Sequence, residues 1–173
     1  MHEEKVVTDR LELVPATAEM MRSDMKNRPL LSRMLDAGVP DGWSPPSSAD
    51  AKEFFLRQLE DAPNGTGWSA WYWIRRDERV LIGSGGFKDK PSQDGTVEIG
   101  YTVVEQFQKK GYATEAVRAL VQWAFSHPQV VRVIAETYPD NTACSRVLEK
   151  SDFKYFGKGL EEGTIQFEVR KGH

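Results

Sequence analysis

The spacing of apolar residues divides the chain into a strand-rich first part and a second part in which strands and helices alternate. Arg10-Leu11-Glu12-Leu13-Val14 alternates as a half-buried strand does, and Pro15 closes it. The runs Trp68 to Arg75 and Val80 to Phe87 are rich in aromatic and branched residues and predict paired strands. Between them Arg76-Asp77-Glu78-Arg79 is short and polar, as a hairpin connection should be. Lys90-Pro91-Ser92-Gln93-Asp94-Gly95 predicts a second turn, followed by a strand from Thr96 to Val104. Two helices are expected earlier. One runs from Ala16 to about Arg28, with Met20, Met21 and Met25 on it, and ends at Pro29. The other starts from a Ser48 or Asp50 cap and reaches about Asp61, with Phe54, Phe55 and Leu59 on its inner face. The turn-dense stretch Gly38 to Pro46 predicts an ordered surface loop.

From Ala113 the period changes. Ala113, Ala116, Val117, Leu120, Val121 and Ala124 recur at helical spacing until His127-Pro128 stops them. Val130 to Tyr138 is nearly continuously apolar, which predicts a strand covered on both faces. Asn141 to Lys150 predicts another helix, and Phe153 to Phe156 and Thr164 to Val169 predict two last strands. The count is about seven strands and four helices in an α/β (α+β) domain. The 173 residues fit one domain spanning residues 1–173, with no repeat or linker.

Charge and composition narrow the function classes. A net charge of -3, with Lys and Arg scattered along the chain, lacks the footprint that DNA or an anionic membrane requires. Cys144 is the only cysteine, so no intrachain disulfide forms, and His2, His127 and His173 are too far apart to read as a metal site. No apolar run approaches the ~20 residues that span a bilayer, and the start of the chain, with Glu3 and Glu4, is not a signal peptide. A soluble, cytoplasmic protein is expected.

The chemistry concentrates between the strand ending at Val104 and the helix opening near Tyr112. A basic, glycine-containing turn before a helix offers N–H groups without intrahelical partners, and a phosphate satisfies them. In Gln108-Lys109-Lys110-Gly111-Tyr112-Ala113, Gly111 lets the main chain approach a ligand closely, and Ala113 keeps the next approach open. Lys109 and Lys110 add positive charge, while Gln108 hydrogen-bonds either the turn or the phosphate. The plainer alternative is an ordinary strand-to-helix turn with two solvated lysines. A rival glycine cluster, Gly83-Ser84-Gly85-Gly86, has neither a Gly-Lys-Ser/Thr signature nor a following helix, and reads as close backbone packing within a strand.

With these residues the sequence resembles the GNAT acetyltransferase superfamily, whose pyrophosphate loop follows Gln/Arg-x-x-Gly-x-Gly/Ala. The context agrees: Glu98-Ile99-Gly100-Tyr101 precedes the loop, and Tyr112-Ala113-Thr114-Glu115-Ala116 opens the helix. The segment Asn141 to Phe153 looks like the family's second cofactor-contacting segment, and with Arg10-Leu11-Glu12-Leu13 it is similar to the RimJ/RimL-like branch. The resemblance implies a central mixed, mostly antiparallel twisted sheet, acetyl-CoA as co-substrate and no metal. It also implies transfer of acetyl to a primary amine by direct attack in a ternary complex. The cofactor contacts it implies are Tyr101, Val103, Val104, the loop from Gln108 to Thr114, and Asn141, which also suits a helix cap.

An attacking amine must lose a proton, and Glu98 is the candidate base, with Glu136 and Tyr138 as alternatives and a structural role for Glu98 equally open. The family places Ser three residues after Asn to meet the departing thiolate. Here Cys144 stands there, with Ser145 next, so Cys144, Ser145 or water is left to donate that proton. Leu148 replaces the acid tyrosine of other branches, and Asp152 replaces a common glycine at a left-handed turn. Trp43, Trp71, Trp73 and Tyr138 are candidates for an aromatic acceptor wall, although strand tryptophans such as Trp71 and Trp73 are more often core. The branch favours a protein or peptide N-terminus as acceptor. Polyamines, amino acids and antibiotics remain alternatives, as does a coenzyme-binding sensor without turnover, and either a monomer or a homodimer fits. An amide-forming toxin acting on charged transfer RNA lacks the basic surface it would need.

Overall fold

The computed structural model describes residues 5–43, 49–62 and 65–172. The strands are β1 (Val6–Val7), β2 (Leu11–Pro15), β3 (Ala70–Arg75), β4 (Val80–Phe87), β5 (Thr96–Val103), β6 (Arg132–Thr137), β7 (Lys154–Lys158) and β8 (Ile165–Arg170). The helices are α1 (Ala18–Lys26), α2 (Arg28–Leu35), α3 (Ala49–Asp61), α4 (Tyr112–Phe125) and α5 (Thr142–Lys150). All strands join one sheet in the order β1-β2-β3-β4-β5-β6-β8-β7. Only the β5–β6 pair is parallel, with α4 as its crossover; every other pairing is antiparallel.

The eight strands and five α-helices among the described residues exceed the expected seven and four. The added strand, β1, has two residues, too few for any period to register. The added helix, α2, follows from Pro29. The sequence reading takes Pro29 as a stop, but proline is tolerated in a first helical turn, where its missing N–H has no partner to lose. Asn27 caps that turn, its side chain accepting from Leu30 N–H, so one helix ends and the next begins there.

Each face of the sheet carries its own core. Leu11, Leu13, Trp71, Trp73, Ile82, Val97, Ile99 and Val103 pack with Ala116, Val117 and Leu120 of α4. Val14, Tyr72, Ile74, Leu81 and Val104 pack on the opposite face with Met21, Leu31, Leu35 and Leu59 of α1, α2 and α3. On α3, Leu59 is buried as expected, whereas Phe54 is exposed. The glycines of β4 answer to bulky neighbours. A Cβ on Gly83 would lie 2.7 Å from the Thr102 carbonyl and 3.2 Å from the Trp73 ring. The strand is therefore thinned so that Trp73 of β3 and Tyr101 of β5 meet over it, stacked at 5.9 Å.

The feature that positions the site is a fork. β5 pairs with β6 only through Thr96, Val97 and Glu98, opposite Arg132, Val133 and Ile134. Its outer half, from Ile99 to Val103, pairs with β4 alone. Backbone groups alternate sides along a strand. Because Lys88 N–H donates to Glu98 O and Val104 N–H donates to Ile82 O, the even positions face β4, and Ile99, Tyr101 and Val103 present theirs to the gap.

Candidate active site

The loop after β5 meets α4 in a conformation built for an anion. Lys109 (φ 63°) and Gly111 (φ 83°) both take the left-handed region, and Gly111 is the residue preceding the first turn of α4. Successive N–H groups turned inward by such alternation form an anion-binding concavity. The N–H groups of residues 109 to 114 donate to no protein acceptor among the described residues, while the flanking Gln108 N–H donates to Glu105 O and Glu115 N–H to Gly111 O. Gln108 takes the turn rather than the ligand: its side-chain amide donates to Val103 O at 2.9 Å. Lys109 and Lys110 are exposed, and Tyr112 is buried beneath the loop.

Arg10, not singled out as a functional residue from the sequence, braces this loop. Its Nε donates to Glu115 Oε1 at 2.7 Å, its Nη1 donates to the Lys110 carbonyl at 2.9 Å, and its guanidinium lies 4.3 Å from the Tyr112 ring centroid. Thr8 Oγ1 and the Arg10 N–H both donate to Glu115 Oε2, at 2.5 and 2.8 Å. Burial alone would raise the Glu115 carboxyl, but these donors and the Arg10 charge outweigh it and hold the group below the usual glutamate range.

Across the fork, the Tyr101 hydroxyl donates to Cys144 Sγ at 3.5 Å and so joins β5 to α5. Burial, reinforced by the Cys144 thiol, pushes Tyr101 well above the usual tyrosine value, so its O–H stays a donor. Asn141 caps α5, accepting from Cys144 N–H at 3.1 Å, which fixes the thiol at the helix start. Ser145 lies half-buried one position on, and Asp152 takes the left-handed turn (φ 71°) expected of it. Val104 departs from its expected role: its N–H is bound to Ile82 O at 2.8 Å and its side chain is buried on the opposite face, so Tyr101 and the Val103 N–H are open to a ligand in the fork, the Val103 carbonyl being taken by Gln108.

Glu98 lies three positions before Tyr101 and faces the other side of the sheet. Its carboxylate pairs with Lys88 Nζ at 2.7 Å. Glu136 is bound by the β7–β8 loop, accepting from Thr164 Oγ1 at 2.8 Å and Glu161 N–H at 3.2 Å. Burial would raise it, but these bonds and nearby Lys88 hold it below the usual range, so it anchors the loop and is a poor proton acceptor. Tyr138 stands exposed just beyond β6.

The aromatic wall does not form. Trp71 and Trp73 are both 0% exposed against α4, and Trp43, 3% exposed, lies on the opposite face. Trp43 Nε1 instead donates to the buried Asp24 carboxylate at 2.8 Å, which also accepts from Tyr72 OH at 3.0 Å and Lys52 Nζ at 3.0 Å. The open space on that side is a groove of about 520 Å³ between α3 and the end of β4, lined by Glu53, Phe54, Arg57, Gln58, Asp61 and Asp89. Gln58 ties the groove to Lys88, its amide donating to the Lys88 carbonyl at 2.8 Å. No helix among the described residues is long and apolar enough to cross a membrane, and no group of three or more His, Cys, Asp or Glu among them is placed to hold a metal.

A sheet forked beside a helix start that gathers free N–H groups defines an acyl-CoA-dependent acyltransferase. The family model described as the acetyltransferase (GNAT) domain matches residues 10–154, and the chain belongs to this family of acetyl-CoA-dependent N-acetyltransferases. The chain is 29% identical over 155 residues to the uncharacterized N-acetyltransferase YjdG of Bacillus subtilis (strain 168), covering 89% of this chain and 92% of that protein. It is 26% identical over 181 residues to the FsC-acetyl coenzyme A-N(2)-transacetylase of Aspergillus fumigatus, covering 95% and 75%. The fold is shared with the ribosomal-protein-S5-alanine acetyltransferase of Vibrio fischeri, at a TM-score of 0.68 and 16% identity over 98% of each chain.

Proposed function

We propose that this enzyme acetylates the α-amine of a protein or peptide N-terminus, binding acetyl-CoA and acceptor together. The observation that carries the reading is the fork itself, with free N–H groups at one end, together with an open groove at α3 that Gln58 ties to Lys88, the partner of Glu98. The bound coenzyme supplies an activated acyl thioester. The N–H groups of residues 109 to 114 hold its pyrophosphate, and the inward backbone groups of Tyr101 with the Val103 N–H hold its arm and polarise the acyl carbonyl. Glu98, which pairs with Lys88, takes the proton of the acceptor amine. Cys144 returns a proton to the leaving sulfur, with the Tyr101 hydroxyl hydrogen-bonded to Sγ to stabilise the thiolate that remains.

An extended peptide suits the groove because it is open at the surface rather than closed around a small molecule. In its lining Glu53, Asp61 and Asp89 outnumber Arg57, an excess of negative charge that favours a cationic amine. The S5-alanine acetyltransferase of the same fold acts on a ribosomal protein, as its name states. A small-molecule amine is the second reading, favoured by the similarity to the transacetylase over nearly the whole chain. The test is release of free coenzyme A from acetyl-CoA with peptides of varied N-terminus, polyamines and aminoglycosides. Turnover on peptides supports the proposal. Turnover confined to small amines replaces it with the second reading, and tight coenzyme binding without turnover makes the protein a sensor.

A further inference from the structure

We infer that Arg10 is a positioning residue for coenzyme binding: its guanidinium fork fixes the Lys110–Gly111 peptide so that the Gly111 N–H faces the pyrophosphate. The inference rests on the loop being the pyrophosphate site. A peptide group is planar and trans, so the carbonyl of Lys110 and the N–H of Gly111 point in opposite directions. Arg10 Nη1 holds that carbonyl at 2.9 Å, which aims the Gly111 N–H away from β2.

Left to itself, this peptide is free to turn over. Gly111 sits at φ 83°, and glycine adopts either sign of φ with little cost. A turned peptide would present the Lys110 carbonyl oxygen, a negative dipole end, to the phosphates. Arg10 prevents this because it is itself over-determined: Glu115 grips Nε at 2.7 Å, the Tyr112 ring supports the guanidinium plane, and Thr8 and the Arg10 N–H orient Glu115. A fork is needed, since one group must reach Glu115 and Lys110 together, and an ammonium on a flexible stem lacks that geometry. The space is matched as well: a Cβ on Gly111 would come within 3.2 Å of Arg10 Nη2.

The experiment is calorimetric titration of coenzyme A into the wild-type protein, Arg10→Ala, Arg10→Lys and Glu115→Gln. The Gly111 amide is followed in parallel by two-dimensional NMR. Wild type should bind with a large shift of the Gly111 amide. Arg10→Ala and Arg10→Lys should both weaken binding by roughly tenfold, the scale of one charge-assisted hydrogen bond, and lose most of the amide shift. Glu115→Gln, which loosens the guanidinium without deleting it, should weaken binding severalfold and serves if an Arg10 variant does not fold. Wild-type affinity in folded Arg10→Ala or Glu115→Gln overturns the inference. Full recovery in Arg10→Lys also overturns it, because charge alone would then suffice. A wild-type protein that does not bind coenzyme A fails at the earlier step, and the reading of the loop falls with it.

Discussion

The Tyr101 hydroxyl and the Cys144 thiol meet at 3.5 Å across the gap between β5 and α5, and Trp73 stacks on the far side of the tyrosine ring. The thiol thus stands at the start of α5 with a donor aimed at its sulfur. Cys144→Ala should lower turnover by about tenfold to a hundredfold, the lower range for loss of an acid group, with little change in coenzyme Kd. Cys144→Ser should keep most activity. Steady-state kinetics beside calorimetry separates the two effects, and unchanged turnover in Cys144→Ala would assign the proton to Ser145 or water.

In the proposed reaction Glu98 takes the other proton. Glu98→Gln should reduce kcat/KM by about a hundredfold at neutral pH and recover relative to wild type as pH rises, because solvent then deprotonates the acceptor amine. The measurement is a pH–rate profile of both proteins. A ratio that stays flat across pH removes Glu98 as the base.

Glu115 predicts a pH-dependent stability. Its folded-state proton affinity lies below that of the unfolded chain, so its contribution is present above the ordinary glutamate range, about 4.3, and fades as pH falls through the lower folded value. Glu115→Gln should therefore lower Tm at pH 7, and the difference from wild type should be smaller at an acidic pH below the ordinary glutamate range. Thermal melts at the two pH values check this. An equal difference at both would show that the contacts do not depend on the charge.

Buried Asp24 gathers donors from three other parts of the chain. Asp24→Ala leaves the Tyr72 hydroxyl and Trp43 Nε1 without this acceptor and removes the carboxylate paired with Lys52, and should cost about 3 kcal/mol. Denaturant unfolding measures it, and a loss below about 1 kcal/mol would mean that solvent relaxes into the site.

The thinning of β4 can be tested by contrast within the sheet. Gly83→Ala forces a Cβ against the Thr102 carbonyl and the Trp73 ring and should destabilise by about 2 kcal/mol. Gly100→Ala, where a Cβ meets nothing within 4 Å, should be close to neutral. Similar losses at the two positions would deny that Gly83 is there to admit the ring.

Legibility from the sequence followed the range of the contacts. The helix α4 was plain because Ala116, Val117, Leu120, Val121 and Ala124 mark one face at 3.6-residue spacing. The loop before it was plain because its chemistry is contiguous. The burial of Trp71 and Trp73 was the commoner reading for strand tryptophans, but its partners, Trp123 of α4 and the glycines of β4, are announced by no local period. Arg10 and Glu115 are separated by 105 positions, and only the folded sheet brings them together. Lys88 was within reach. Pairing the strands across the Lys90 to Gly95 turn places it opposite Glu98, so the hairpin register carried the ion pair.

The short β5–β6 seam has a mechanical consequence. With only three rungs joining them, β1 to β5 and β6 to β8 behave as two plates held at one end by the sheet and along one face by the crossover helix α4. A long ligand lying in the fork touches both plates, at the backbone of β5 and at the start of α5. A ligand that bridges the two would tie them together as a pin ties a clasp. Hydrogen exchange in the seam at Val97 and Ile134 should therefore slow when coenzyme A is added, although neither residue needs to touch it.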